Sequence, residues 1–528
     1  MKPAQREIRV EKRYLHLPVK NGAPMRRLRF VVDGTTVREF EIELAEGEPD
    51  FSVFSDASAF VGQRLTVEVE ALPPDSRALE RIVQAEAVPG GDGLHHERHR
   101  PQFHFSSRRG WSNDPNGLVY HDGEYHLFYQ HNPYGWNPAN MHWGHAVSTD
   151  LVHWRELPIA LYPHAFGDWC FSGSAVVDRG NSAGFRTREE DVIVAAFTST
   201  GRGECIAYSN DRGRTFTDYE GNPVVQHNGR DPKVIWYAPG GHWVMAVYDE
   251  KPDSRGIAFY TSPDLKHWER QSRIESYYEC PEIFALPVDG RAGQSTWVVY
   301  SADGDYAVGS FDGKTFVAES DKQRYNFGDC FYASQTFNGI PPEDGRRIQI
   351  GWGTVSMPGM PFNQMMTFPV ELTLRTTEEG VRLFAWPVKE IEALHASRHE
   401  WTNVELMPGR NVLADITGDL FDIRAEFETG DVAELGFTIR GLPVTCDVRE
   451  GRLSCQGKSA PLKPMGGKVR LRLLVDRTSI EIFGNDGRIY MPIGVIPPDD
   501  NMALEVFSRS GTGRAASLEV YELKSAWG

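Results

Sequence analysis

With 528 residues, 40% hydrophobic and 24% charged, the chain has the make-up of a globular protein too long for one core, and it divides most simply into three units. Acidic residues outnumber basic ones by 73 to 56, and a formal charge of -17 repels phosphate backbones and anionic membrane surfaces, which argues against nucleic-acid and membrane partners. No run of about 18 apolar residues is present to span a bilayer as a helix.

The opening Met1 to Glu7 is not followed by an apolar signal-peptide core, so the chain reads as cytoplasmic as written, and as secreted if a leader was removed. From Ile8 to about Ala87, short alternating runs such as Leu28-Arg29-Phe30-Val31-Val32 are separated by Gly, Pro and Asp turns. Residues 1–95 are therefore expected to form a small all-β accessory domain. The loop-like Val88-Pro89-Gly90-Gly91-Asp92-Gly93 marks its boundary.

A weak repeat follows. Ser148-Thr149-Asp150-Leu151-Val152-His153-Trp154 is echoed by Ser262-Pro263-Asp264-Leu265-Lys266-His267-Trp268, and more loosely by segments ending in Phe216 and Phe316. Each sets an Asp-centred turn ahead of an aromatic. The aromatics recur at roughly 50 to 60 residues, the four-strands-plus-loops length of a propeller blade. Four such hairpins, plus a strand-rich stretch from Tyr332 to Leu374, predict a five-bladed β-propeller over 96–386.

Pro387 to Leu394 has the apolar spacing and charges of a short helix, giving a helical connector over 387–397. Period-two runs such as Phe421 to Phe427 and Val469 to Val475 then predict a β-sandwich over 398–528. Six cysteines without a C-x-x-C pair indicate neither a zinc site nor a dense disulfide framework. Within the sandwich, Glu450-Gly451 read as a two-residue hairpin loop sets Cys446 opposite Cys455, where a bridge could form; two free thiols are the simpler alternative.

Three acidic motifs carry the chemistry. Asn113-Asp114-Pro115-Asn116-Gly117, Arg230-Asp231-Pro232 and Glu279-Cys280-Pro281 would individually pass for a turn, a local ion pair and an edge glutamate. Each lies beside a strand-like segment, with Asp114 and Asp231 expected in loops at strand ends. Together they supply two carboxylates to flank a scissile glycosidic bond and a third acid to hold the ring. Glu279, between Tyr278 and Cys280, has the low-polarity flank of a proton donor.

Trp111 to Gly117, Phe171-Ser172-Gly173-Ser174-Ala175, Arg230-Asp231-Pro232, Glu279-Cys280-Pro281 and the later Val475 to Phe483 together resemble glycoside hydrolase family 32, the fructan hydrolases and invertases. That resemblance implies an all-β fold, a five-bladed β-propeller followed by a C-terminal β-sandwich, here with an extra N-terminal β domain. It also implies retaining hydrolysis with no metal and no cofactor. Asp114 becomes the nucleophile, Glu279 the acid and base, and Asp231 the residue that holds ring hydroxyls. Asn113, Gln130, Trp136, Phe171, Ser172, Arg230 and Tyr332 become substrate contacts. The implied substrates are levan, inulin, fructooligosaccharides or sucrose, with fructosyl transfer an alternative outcome on the same scaffold. Ser112, Trp136, Cys330 and the loop Met357 to Met366 depart from the family pattern, and all are expected around the pocket rim.

Overall fold

The computed structural model describes residues 3–291 and 293–528, and among them the architecture is built from strands, with four short 3-10 turns as the only helices. Seven strands between Ala4 and Ala85 make two sheets, one of four strands and one of three. Alternation builds this domain: Arg26–Val32 buries Leu28, Phe30 and Val32, while Arg27 and Arg29 point outward to pair with Glu39. Each such apolar side chain contributes roughly 1.5 to 3 kcal/mol by burial.

Five sheets follow in chain order, each built on four antiparallel strands; the first gains a fifth strand from Phe362–Asn363 and the last from Met365–Met366. Their first strands are Gly110–His121, Cys170–Asp178, Gly229–Tyr237, Glu282–Pro287 and Tyr332–Thr336. The repeat seen in the sequence is the hairpin between the third and fourth strands of the first four sheets. In the first, Asp150 Oδ1 accepts from the backbone N–H groups of Val152 and His153, and Trp154 Nε1 donates to the Leu151 carbonyl at 3.0 Å. Asp264, Lys266, His267 and Trp268 repeat this geometry in the third. Backbone bonds join the fifth sheet to the first, from Tyr120 N to Asn338 O and from Asn338 N to Leu118 O. An excursion of the fifth sheet, Phe362–Asn363, pairs in parallel with Gly110 and Trp111.

The expected connector helix is a 3-10 helix, Lys389–Leu394, shorter than predicted because Val388 is extended and only Ile391 and Leu394, three residues apart, are buried. Strand His395–Leu406 follows at once, so 395–397 belong to the sandwich. The sandwich packs a six-stranded sheet on a five-stranded one. Its hairpin corrects the cysteine register. Cys446 pairs with Leu453, Cys455 pairs with Val444, and both thiols are free. The shift arises because Asp447 Oδ1 caps the N–H groups of Arg449 and Glu450, lengthening the turn by two residues.

A buried ionic clamp locks propeller to sandwich. His104 Nδ1 meets Asp476 at 2.8 Å and Nε2 meets Glu481 at 3.1 Å, while Asp476 also accepts from the backbone N–H groups of Gln102 and Phe103. Burial disfavours the imidazolium, but the two carboxylates outweigh it and raise the His104 pKa to about 9.

Candidate active site

Irregularities at the starts of the first strands aim the functional side chains. Register shifts fall between Ser112 and Pro115, Cys170 and Gly173, Arg230 and Lys233, and Tyr332 and Gln335. Bulges of this kind redirect side chains out of the pleat. Asp114 and Asp231 therefore sit within strands rather than in loops preceding them. Asp231, Glu279, Cys280 and Ala333 all adopt positive φ, at 67, 30, 43 and 45°. Such strain persists only where surrounding structure holds it. Gly173 answers a different need: a Cβ there would fall 2.0 Å from the Ala196 carbonyl oxygen, so only glycine lets Ser172 and its strand approach this closely.

The three motif carboxyls meet around Cys280. Its Sγ lies 3.6 Å from Asp114 Oδ2 and 3.5 Å from Asp231 Oδ2, and its backbone N–H donates to Asp231 at 3.1 Å. Glu279 is the preceding residue. Asp114 accepts from Ser172 Oγ at 2.5 Å and from Asn113 Nδ2 at 3.0 Å; Trp111 Nε1 in turn donates to Asn113 Oδ1 at 2.7 Å. Glu279 does not meet the apolar flank expected of it. Instead Tyr332 OH donates to Oε1 at 2.6 Å, and the Arg230 guanidinium engages Oε2 through Nε and a terminal nitrogen. Arg230 also lies 3.6 Å from Asp231 and spreads over the Tyr248 ring.

Burial raises the pKa of Asp114, opposed by the Ser172 and Asn113 donors. It pushes Asp231 up to about 8, with Arg230 pulling down and the neighbouring acids pushing up. Asp231, buried beside Arg230 and the other acids, is thus shifted toward its protonated form.

The remaining predicted contacts divide. Ser172, Asn113, Arg230 and Tyr332 touch the acids directly. Gln130 is buried and donates Nε2 to the Cys170 carbonyl, fixing the strand that carries Phe171 and Ser172. Phe171 is half-buried, its carbonyl held by Trp143 Nε1. Trp136 lies against the last sheet's excursion, with Nε1 donating to Phe362 O at 3.1 Å. Cys330 corrects another expectation: it is buried beneath the Met357 to Met366 loop, packed with Val355, Met357, Phe362 and Met365, and not on the rim.

Sequence reasoning passed over Trp352, which packs edge-on to both Trp111 and Tyr332 and donates to Gln364 Oε1. It also missed Thr198, whose hydroxyl accepts from Asp231 N at 2.9 Å and donates to Glu204. Neither bears a motif, though Gly351-Trp352 ending a strand could have marked the first. A cavity of about 620 Å³ opens near Asp178, Trp236 and Phe337, toward the far ends of the same first strands. Its only acid, Asp178, is saturated by Ser182 and Ala183, so it lacks a reacting pair.

Two of the acids share one arginine and the third is held by neutral donors, and the three gathered around Cys280 have the composition of a glycosidase centre. The family description "Glycosyl hydrolases family 32 N-terminal domain" matches residues 104–387 and "Glycosyl hydrolases family 32 C terminal" matches 390–522; the chain belongs to this family. It is 40% identical over 488 residues to the levanase of Bacillus subtilis (strain 168), covering 82% of this chain and 71% of that one. Against the levanase of Bacillus sp. (strain L7) it is 33% identical over 506 residues, covering 82% of this chain but only 53% of the relative. The crystal structure of exo-inulinase from Aspergillus awamori superposes with a TM-score of 0.74 at 27% identity, covering 82% of this chain and all of that one.

Proposed function

We propose that the chain is a retaining, exo-acting β-fructofuranosidase that releases fructose from the ends of levan, inulin or fructooligosaccharides. The observation that carries this is the division of labour among the acids: Asp114 is held by neutral donors alone, whereas Glu279 is held by a guanidinium and a phenol. Asp114 attacks the anomeric C2 of the terminal fructosyl unit as the C2–O bond to the leaving sugar breaks, and Glu279 gives its proton to the departing oxygen. Glu279, now ionised, takes a proton from water, whose oxygen displaces Asp114 from C2. Retention follows from the two inversions. Asp231, beside both, hydrogen-bonds ring hydroxyls as positive charge builds at C2.

Levanase and exo-inulinase relatives support fructans over sucrose as the substrate class. The test is turnover of sucrose, inulin and levan at equal fructosyl concentration, with product analysis. Fructose as the first product from both ends of the size range is expected. Cleavage of sucrose alone, or internal fragments without fructose, overturns the reading.

A further inference from the structure

The first 103 residues lie outside both family matches, yet they hold one loop of the propeller, residues 133–141, through Tyr134 and Asn140. Tyr134 is only 1% exposed and belongs to the hydrophobic core of the N-terminal domain, its ring stacked on Phe40 at 3.5 Å. Asn140 is bonded in both directions to the Glu41 backbone, Oδ1 accepting at 2.9 Å and Nδ2 donating at 2.8 Å. Inside the propeller, Asn132 gathers the same loop. Its Oδ1 accepts from Tyr134 N and Asn140 Nδ2, and its Nδ2 donates to Asn137 O.

Between these two anchors lies Trp136, half-buried. One edge is pinned by Phe362 O, and its own carbonyl accepts from Asn363 Nδ2 at 3.3 Å. Phe362–Asn363 lies beside Gly110 and Trp111, and Trp111 orients the Asn113 that holds Asp114. An indole fixed at one edge offers its free surface to the apolar face of a sugar at low entropic cost.

We propose that the N-terminal domain is part of the substrate-binding apparatus. Through Tyr134 and Asn140 it sets Trp136 as the wall against which fructosyl units beyond the cleaved linkage lie. Tyr134, Asn140 and Phe40 are positioning residues in this scheme, acting through Trp136, and the inference rests on the fructan reading above.

The test compares kcat and KM for sucrose and for a linear oligofructoside of several units, in the wild type, Asn140→Asp, Phe40→Leu and Trp136→Ala. Asn140→Asp tolerates the left-handed backbone of that residue, at φ 42°, while turning its donor to Glu41 O into a repelling acceptor. Phe40→Leu loosens the stack from within the N-terminal core and keeps that core filled. Both are expected to raise KM for the oligofructoside about fivefold while leaving its kcat and both sucrose parameters within about twofold. Trp136→Ala is expected to raise the same KM at least as far, and Asn140→Asp added to it to change nothing more. An unchanged ratio of oligofructoside to sucrose KM in Asn140→Asp and Phe40→Leu overturns the inference, as does full additivity with Trp136→Ala. A wild type that cleaves no fructoside instead sinks the functional reading and takes this inference with it; an active wild type with an unchanged ratio sinks the inference alone.

Discussion

Ser172 donates to Asp114 across 2.5 Å, tying the first strand of the second sheet to the first strand of the first. The bond favours the carboxylate over the acid and works against burial, which pushes the Asp114 pKa up. Ser172→Ala removes that support, so the pKa rises further. Under the proposed mechanism Asp114 must be ionised to attack, so the fall of kcat/KM at low pH is expected to begin at higher pH in the variant, with about a tenfold loss near neutrality. A pH profile with an unmoved acid limb contradicts this.

Asp231 illustrates a conflict between stability and function. Its folded pKa, about 8, lies above the unfolded value near 3.8, so the native state retains a proton that the unfolded state has lost. Stability contributed by this group is complete below the unfolded value and falls as pH rises toward 8. Asp231→Asn is therefore expected to melt about 2 to 4 °C higher than the wild type at pH 7.5, with the gain vanishing near pH 4. Turnover should drop by roughly a hundredfold or more. Calorimetry and steady-state rates on the same preparations check both halves.

Arg230 serves Glu279 and Asp231 at once through a planar fork. Lysine carries the charge without the fork, so Arg230→Lys should cost on the order of 100-fold in kcat/KM with little change in melting temperature. Retention of more than a third of the wild-type value places the arginine outside the reaction.

The clamp between propeller and sandwich predicts an alkaline weakness. With its pKa raised to about 9, His104 contributes stability that is full below about pH 6.5 and is lost as pH rises through 9. His104→Gln leaves Asp476 and Glu481 buried without their cation, at a cost of about 3 to 5 kcal/mol near neutrality. The gap in melting temperature between variant and wild type should narrow by pH 9.5. A gap independent of pH shows that His104 is not charged.

Asp114→Ala is expected to abolish turnover, roughly 10³-fold or more, while leaving the far-ultraviolet circular dichroism unchanged. Activity within tenfold of wild type removes Asp114 from the role of nucleophile.

Much of this was legible in the sequence because local rules and global fold agree. Asp150 and Asp264 cap their own turns, so the repeat that predicts the blades is visible without any distant contact. The three acids are legible for a similar reason: each sits in a motif whose neighbours fix its geometry. Legibility failed where a distant contact decides. Asp447 shifted the cysteine hairpin by capping a longer turn, and the Cys330 thiol is buried by a loop some 30 residues away. Trp352 enters the site through tertiary packing alone. Tyr134 reads as a propeller residue yet completes the core of another domain.

The short segment Phe362–Asn363 lies on Gly110 and Trp111, where the end of the ring meets its beginning. The same two residues that shut the circle border the strand bearing Asp114. A breach at this seam would slacken Asn113 and Asp114 before any sheet came apart. Heat should thus extinguish catalysis slightly ahead of the loss of β structure, with the seam serving as the molecule's thermal fuse.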